Sequence, residues 1–239
     1  MPEELIWDRP EPPSRPALTP LSRERIVAAA IGLADADGLP AVSLRKVAAV
    51  LDAGPMRLYG YLSTKEELLD LMVDAVYAEI PGPEAGDWRS ALRALAHQLR
   101  DATHRHPWFA DLVGGRPSLG PHSMAHMEKA VSALAGEPGF EDVDVVMRVV
   151  NVVTAYAIGA IRKEVADLRA EVSSGLDERQ WQRTVGPYLT RLLATGRYPN
   201  LVRVVRDAAH PSRDVVFDEG LDYVLDGVAA RLASAPQSD

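Results

Sequence analysis

The chain has no cysteine in its 239 residues. That absence excludes disulfides, thiolate metal sites and thiol nucleophiles, and it suits a reducing cytoplasm. Aromatic residues are sparse at 6%, with only three phenylalanines. No long apolar run is present: the most notable, "VVNVVTAYAIGAI" between Arg148 and Arg162, has 13 residues. A membrane-spanning helix needs roughly 20, so a buried helix and no membrane partner are expected. The N-terminus starts acidic and proline-rich, unlike the basic-then-apolar start of a secretory signal. Positive charge is also in deficit, with 34 acidic residues against 26 Lys and Arg for a net charge of −8. This argues against a nonspecific nucleic-acid binder but leaves room for a local basic face.

What is present is a globular composition, 47% hydrophobic and 25% charged, sufficient for one large domain or two modest ones. Residues 1–18 hold Pro2, Pro10, Pro12, Pro13 and Pro16 and few core-forming residues, which predicts a flexible arm. Arg9 and Arg15 could reach a DNA groove from it, although Glu3, Glu4, Asp8 and Glu11 outnumber them. Residues 234–239 read as a flexible C-terminus. There is no internal repeat.

From Ser22 the pattern turns helical. Ile26, Ala29, Ala30 and Leu33 recur at helical spacing, and Gly38 stops the segment. Ser43 caps a short helix whose apolar side is Leu44, Val47, Ala48 and Leu51. Asp52-Ala53-Gly54 forms a tight turn, and Pro55 opens a third, very short helix where its missing N–H costs nothing. That helix turns Leu58 and Leu62 inward and leaves Met56, Arg57, Tyr59, Gly60 and Tyr61 outside. Ser63-Thr64-Lys65-Glu66 fits a capping box for a fourth helix, which Pro81-Gly82-Pro83 ends. Helices then follow over 88–106, up to Gly136, and over 141–172, 177–195 and 214–233. The fold class expected is all-α.

Two short helices joined by a tight turn have helix-turn-helix proportions, the second placed to enter a major groove. The charge agrees. Residues 43–65 carry Arg45, Lys46, Arg57 and Lys65 against Asp52, a net +3, whereas residues 19–80 as a whole carry −3. The positive charge is therefore local, as a docking face on a repelling protein requires.

"LSRERIVAAAIGLADADGLPAVSLRKVAAVLDAGPMRLYGYLSTKEELLDLM" resembles the DNA-binding domain of the tetracycline repressor (TetR) family of bacterial transcription factors. The carriers are the apolar first helix with its glycine stop, "SLRKVAAVL", the "LYGY" of the recognition helix and the lysine opening the fourth helix. Residues 84–233, with "HPW" and "LGPHSM", are similar to that family's ligand-binding and dimerisation domain. The resemblance implies a DNA-binding domain over 19–80 and a sensing domain over 84–233. It implies DNA contact by Ser43, Leu44 and Arg45 on the second helix, and by Pro55, Met56 and Arg57 at the base-facing start of the third. Tyr59 and Lys65 match phosphate contacts, with Gly60 and Tyr61 beside them. This sequence departs from many members in the turn, where Asp52 and Ala53 precede Gly54. Arg57 has the sharpest chemistry, since bidentate bonding of arginine to guanine O6 and N7 is the commonest specific contact.

A single helix-turn-helix makes few contacts, so a homodimer on a palindromic double-stranded operator is expected. The resemblance assigns 143–165 and 215–232 to a four-helix seam, through Val146, Val150, Val153, Ala157, Phe217, Leu221, Val224 and Val228. Polar or aromatic interruptions of the apolar helices are pocket candidates for an unidentified small-molecule effector: Trp108, Phe109, His122, Met127, Asn151, Thr154, Tyr156, Trp181 and Tyr188. His122 and His126 share one helix face at i, i+4, but no fuller metal motif accompanies them, and neither metal nor cofactor is expected. Two rivals stand beside the repressor. One is a helical interaction module that no longer binds DNA. The other is an acid–base enzyme using His104, His106, Asp101 or Asp111. No nucleophile-elbow, phosphate-loop or dinucleotide fingerprint supports catalysis.

Overall fold

A computed structural model describes residues 5–13, 20–84, 86–115, 118–209 and 211–234. Among these residues the regular elements are all helical. The first is α1 (Arg23–Asp37), whose N-cap Ser22 accepts from Arg25 N–H and whose stop is Gly38 at φ 78°. After a 3-10 turn at Leu39–Ala41 come α2 (Leu44–Val50), capped by Ser43, and α3 (Pro55–Leu58). Between them Asp52 takes the left-handed conformation, φ 48°, which Asp tolerates better than most side chains. Gly54 stays extended, so the departure noted in the turn puts the left-handed residue at Asp52. The longer α4 (Lys65–Ala78) then runs back against α1. Ile26 and Ala30 of α1, Val47 and Ala48 of α2, Leu58, Leu62, and Leu68, Met72 and Val76 of α4 are all buried; they hold the bundle together.

The second unit comprises α5 (Trp88–Arg105), α6 (Phe109–Leu112), α7 (Pro121–Ser132), α8 (Val143–Ser174), α9 (Glu178–Leu193), α10 (Pro199–Asp207) and α11 (Arg213–Ala233). At 32 residues α8 is long and apolar enough to cross a membrane by composition alone. Here it is the central helix, packed against α5 and α11. One ion-pair cluster ties those three helices: Arg100 of α5 pairs with Glu164 of α8 at 2.9 Å and Asp214 of α11 at 2.7 Å. The same guanidinium lies 4.8 Å over the Phe217 ring. Burial pushes the Glu164 carboxyl up, and the Arg100 guanidinium more than reverses it, holding the group below the usual carboxylate range.

Several expectations are corrected. Within the arm expected over 1–18, residues 5–13 are packed: Ile6 is buried in the core and Trp7 lies against it. The remainder of that arm, 1–4 and 14–18, and residues 235–239 of the expected tail lie outside the described residues. The expected capping box of Ser63 and Glu66 does not form; Thr64 and Glu67 take the capping roles. Thr64 caps α4 by accepting from Glu67 N–H, and Glu67 Oε2 reaches back to Ser63 N–H at 2.6 Å. Two helices lie outside the segments read from the sequence: α6, too short at four residues to show a periodic stripe, and α10.

Candidate DNA interface and its link to the second unit

The inward sides of α2 and α3 are consumed by the core, so their outward sides form a surface of known chemistry. Arg45, Lys46, Pro55, Arg57 and Gly60 are exposed, Met56 is 79% exposed and Tyr59 50%. Lys65 is half-buried at the first position of α4. Among the described residues, Arg45, Lys46, Arg57 and Lys65 have no ion-pair partner. Unpaired cations at helix starts, with an exposed tyrosine hydroxyl between them, are the donor set that phosphate oxygens and base edges require. Ser43 and Leu44 are half-buried, Ser43 because its hydroxyl oxygen accepts from Lys46 N–H.

Tyr61 is a correction. Its side chain is 7% exposed and its hydroxyl donates to Leu21 O at 2.9 Å. The reason is helical spacing: Tyr61 and Leu62 stand at i+3 and i+4 from Leu58, the residue that faces the core. Lys46 is the exposed cation that sequence reasoning counted but did not single out; its signal was its place beside Arg45 at the start of α2.

Two polar junctions join this bundle to the second unit. Asp35 of α1 accepts from Trp108 Nε1 at 2.6 Å and faces His106 Nδ1 at 2.9 Å, while His106 Nε2 faces Glu79 at 3.2 Å. Asp74 of α4 accepts from the N–H (2.8 Å) and hydroxyl (2.9 Å) of Ser123 in the first turn of α7. The "HPW" and "LGPHSM" segments of the sequence therefore supply polar contacts through which the second unit holds α1 and α4.

The nine pocket candidates do not assemble into one site. Trp108 and Phe109 are sealed in the core, and Met127 and Thr154 are half-buried. Tyr156 spends its hydroxyl on Phe217 O at 2.7 Å, joining α8 to α11. Asn151, Trp181 and Tyr188 are exposed. His122 is exposed and borders a shallow groove of about 280 Å³ with Val27, Ile31, Leu71 and Asp74. The polar group missed as a pocket candidate is His126. It is 7% exposed, stacks against Tyr77 at 5.2 Å between ring centroids, and its Nδ1 has no hydrogen-bond partner. Burial and the nearby Lys129 push its pKa down to about 4. Among the described residues no three potential metal ligands come together.

The dimer residues are also corrected. Val146, Val150, Val153, Ala157, Phe217, Leu221 and Val228 are buried within one chain, and Val224 is half-buried. They make the α8–α11 seam inside the monomer, because the most apolar stripe of each helix is claimed first by its own core.

The fold and this surface define the class: a helix-turn-helix DNA-binding unit joined to a larger all-helical domain. A family model described as the tetracycline repressor-like C-terminal domain matches residues 80–232. The HTH-type transcriptional repressor DrrR1 of Streptomyces coeruleorubidus is 39% identical over 96% of this chain and 85% of its own length. Tetracycline repressor class A from transposon 1721 of Escherichia coli is 28% identical, covering 90% of this chain and 93% of that one. Among solved structures, the Streptomyces coelicolor TetR family protein ActR in complex with actinorhodin matches with a TM-score of 0.74 and 28% identity, over 93% of this chain and 100% of that one. The chain belongs to the tetracycline-repressor-like family of helix-turn-helix transcriptional regulators.

Proposed function

We propose that this protein is a repressor that binds a palindromic operator as a homodimer and is released by a small, largely apolar effector. The observation that carries the reading is the set of unpaired cations on α2, α3 and the start of α4 in a chain whose net charge is −8. Arg57 reads a base edge from the third position of α3, and Tyr59 and Lys65 hold phosphate, Lys65 aided by the positive end of α4. Arg45 and Lys46 do the same from α2.

Two copies are needed because one short recognition helix makes too few contacts. Their meeting face is the stripe that the monomer leaves open. On α8 it is Arg148, Val152, Ala155 and Gly159; on α11 it is Val216, Tyr223, Gly227 and Ala230, all exposed. Each set lies along one helix face, with steps of 3, 4 or 7 residues, and its small residues let helices approach closely. The pair α9–α10 adds to this face: none of its residues is buried, and it presents Trp181, Tyr188, Leu201 and Val204.

The effector enters beside α7. His126 supplies a neutral buried acceptor or donor with no protein partner, the usual polar handle of an otherwise apolar site. ActR, a structural neighbour, has actinorhodin bound, which favours a small-molecule effector for this chain as well. A shift of α7 pulls Ser123 and hence Asp74, tilting α4 and moving the two recognition helices out of register. Selection of bound duplexes from a random pool, followed by footprinting with and without aromatic small molecules, tests this. A palindromic footprint lost on effector addition is expected; a chain that selects no sequence would remove the reading.

A further inference from the structure

The segment before α1 has a role of its own. Ile6 is buried in the core of the DNA-binding unit and Trp7 packs beside it, which fixes the segment in place. From there Arg9 reaches the α3–α4 connection: its Nη1 donates to Ser63 Oγ at 2.5 Å, and its guanidinium pairs with Glu67 at 2.6 Å. Glu67 is 6% exposed, so Arg9 compensates a carboxylate that has little access to water. Arg23, the first residue of α1, closes the circuit. It donates from Nη1 to Arg9 O at 2.6 Å and from Nε to Tyr61 O at 3.0 Å, while its backbone N–H donates to Glu11 at 3.1 Å. Lys65 lies between Ser63 and Glu67 in the chain, and Tyr59 and Gly60 lie just before Tyr61.

We propose that residues 5–13 are a strap that sets the position of the α3–α4 connection, making Arg9 a positioning residue for operator binding though it touches no DNA. The inference rests on the operator-binding reading above. Without the strap, Ser63 Oγ and the Glu67 carboxylate lose Arg9, and Arg23, which holds Tyr61 O, loses its own anchors at Arg9 O and Glu11. The polar side of the first turn of α4 is then held by its own cap alone, while Leu68 stays anchored in the core. A phosphate contact made by Lys65 from that turn depends on the turn being fixed, because the ammonium must meet its oxygen with little rearrangement.

The test uses the full chain and the duplex it selects from a random pool, with affinities measured over a salt series and corrected for folded fraction. Arg9→Ala is expected to weaken binding about tenfold or more and to lower the salt slope by about 1, the signature of one lost phosphate contact. Arg9→Lys keeps the charge beside Glu67 but lacks the planar fork that spans Ser63 and Glu67. It is expected to restore thermal stability without restoring the slope. Affinity and slope of the folded Arg9→Ala protein equal to wild type overturn the strap, as does full recovery of both by Arg9→Lys, which reduces Arg9 to a counter-charge. A wild-type chain that selects no duplex overturns the operator reading and the strap together, an outcome distinct from either of these.

Discussion

Asp35 Oδ1 on α1 and the Trp108 indole N–H are hydrogen-bonded at 2.6 Å across the boundary between the DNA-binding bundle and the second unit. Trp108 is 1% exposed, and Asp35 is the acceptor that its buried N–H finds. Asp35→Ala is expected to cost about 1–3 kcal/mol, the penalty of an unsatisfied buried donor. Chemical denaturation of the two proteins checks this, and an unchanged midpoint and slope would show the bond to be dispensable.

Gly120 lies against Asp74 at the second junction. A Cβ at Gly120 would stand 2.2 Å from Asp74 Oδ1, closer than any real contact allows. Gly120→Ala therefore has to push α4 and α7 apart and is expected to destabilise by about 1–3 kcal/mol, as over-packed sites do. Because α7 is the proposed relay, effector-induced release should weaken as well. Calorimetry together with a footprint titration reads both effects.

Arg57 is exposed and unpaired at the start of the recognition helix. Arg57→Ala is expected to cost about 1–3 kcal/mol of specific affinity and to relax preference at one base position of each half-site. Arg45→Ala, in contrast, should weaken binding to all sequences alike and reduce the salt slope by about 1. Selection experiments with each variant distinguish base reading from phosphate holding.

His126 sets a pH dependence of stability. Its folded pKa is about 4 against an ordinary 6.5, so between these values the unfolded chain takes up a proton that the folded chain does not. The stability linked to this ring is full above pH 6.5 and is lost as pH falls towards 4, by on the order of 3 kcal/mol at completion. His126→Gln should flatten the difference in denaturant midpoint between pH 7 and pH 5. An equal fall in both proteins would assign the acid sensitivity to other groups.

The helices of the DNA-binding unit were legible because each carries its own punctuation. Ser22, Gly38, Ser43 and Pro55 mark starts and stops through local hydrogen bonding and backbone freedom, and these forces need no distant partner. The cationic patch was legible for the same reason, since it lies within 23 consecutive residues. The first 18 residues misled: five prolines suggested an arm, yet Ile6 is buried and Arg9 finds partners from Arg23 to Glu67. The seam of α8 and α11 misled differently, because an apolar stripe does not say whether its partner is the same chain or another.

The amino-acid order alone determined an all-helical chain, the position of its helix-turn-helix and the residues that carry positive charge there, because propensity, capping and charge are properties of neighbours. The tertiary structure decided which apolar stripes of α8 and α11 the chain's own core buries, that Tyr61 turns inward while Tyr59 turns out, and that Asp35, Asp74 and Arg9 bind elements far from them in sequence. Those outcomes depend on competition for a limited interior among groups separated by tens to more than a hundred residues, which no local pattern records.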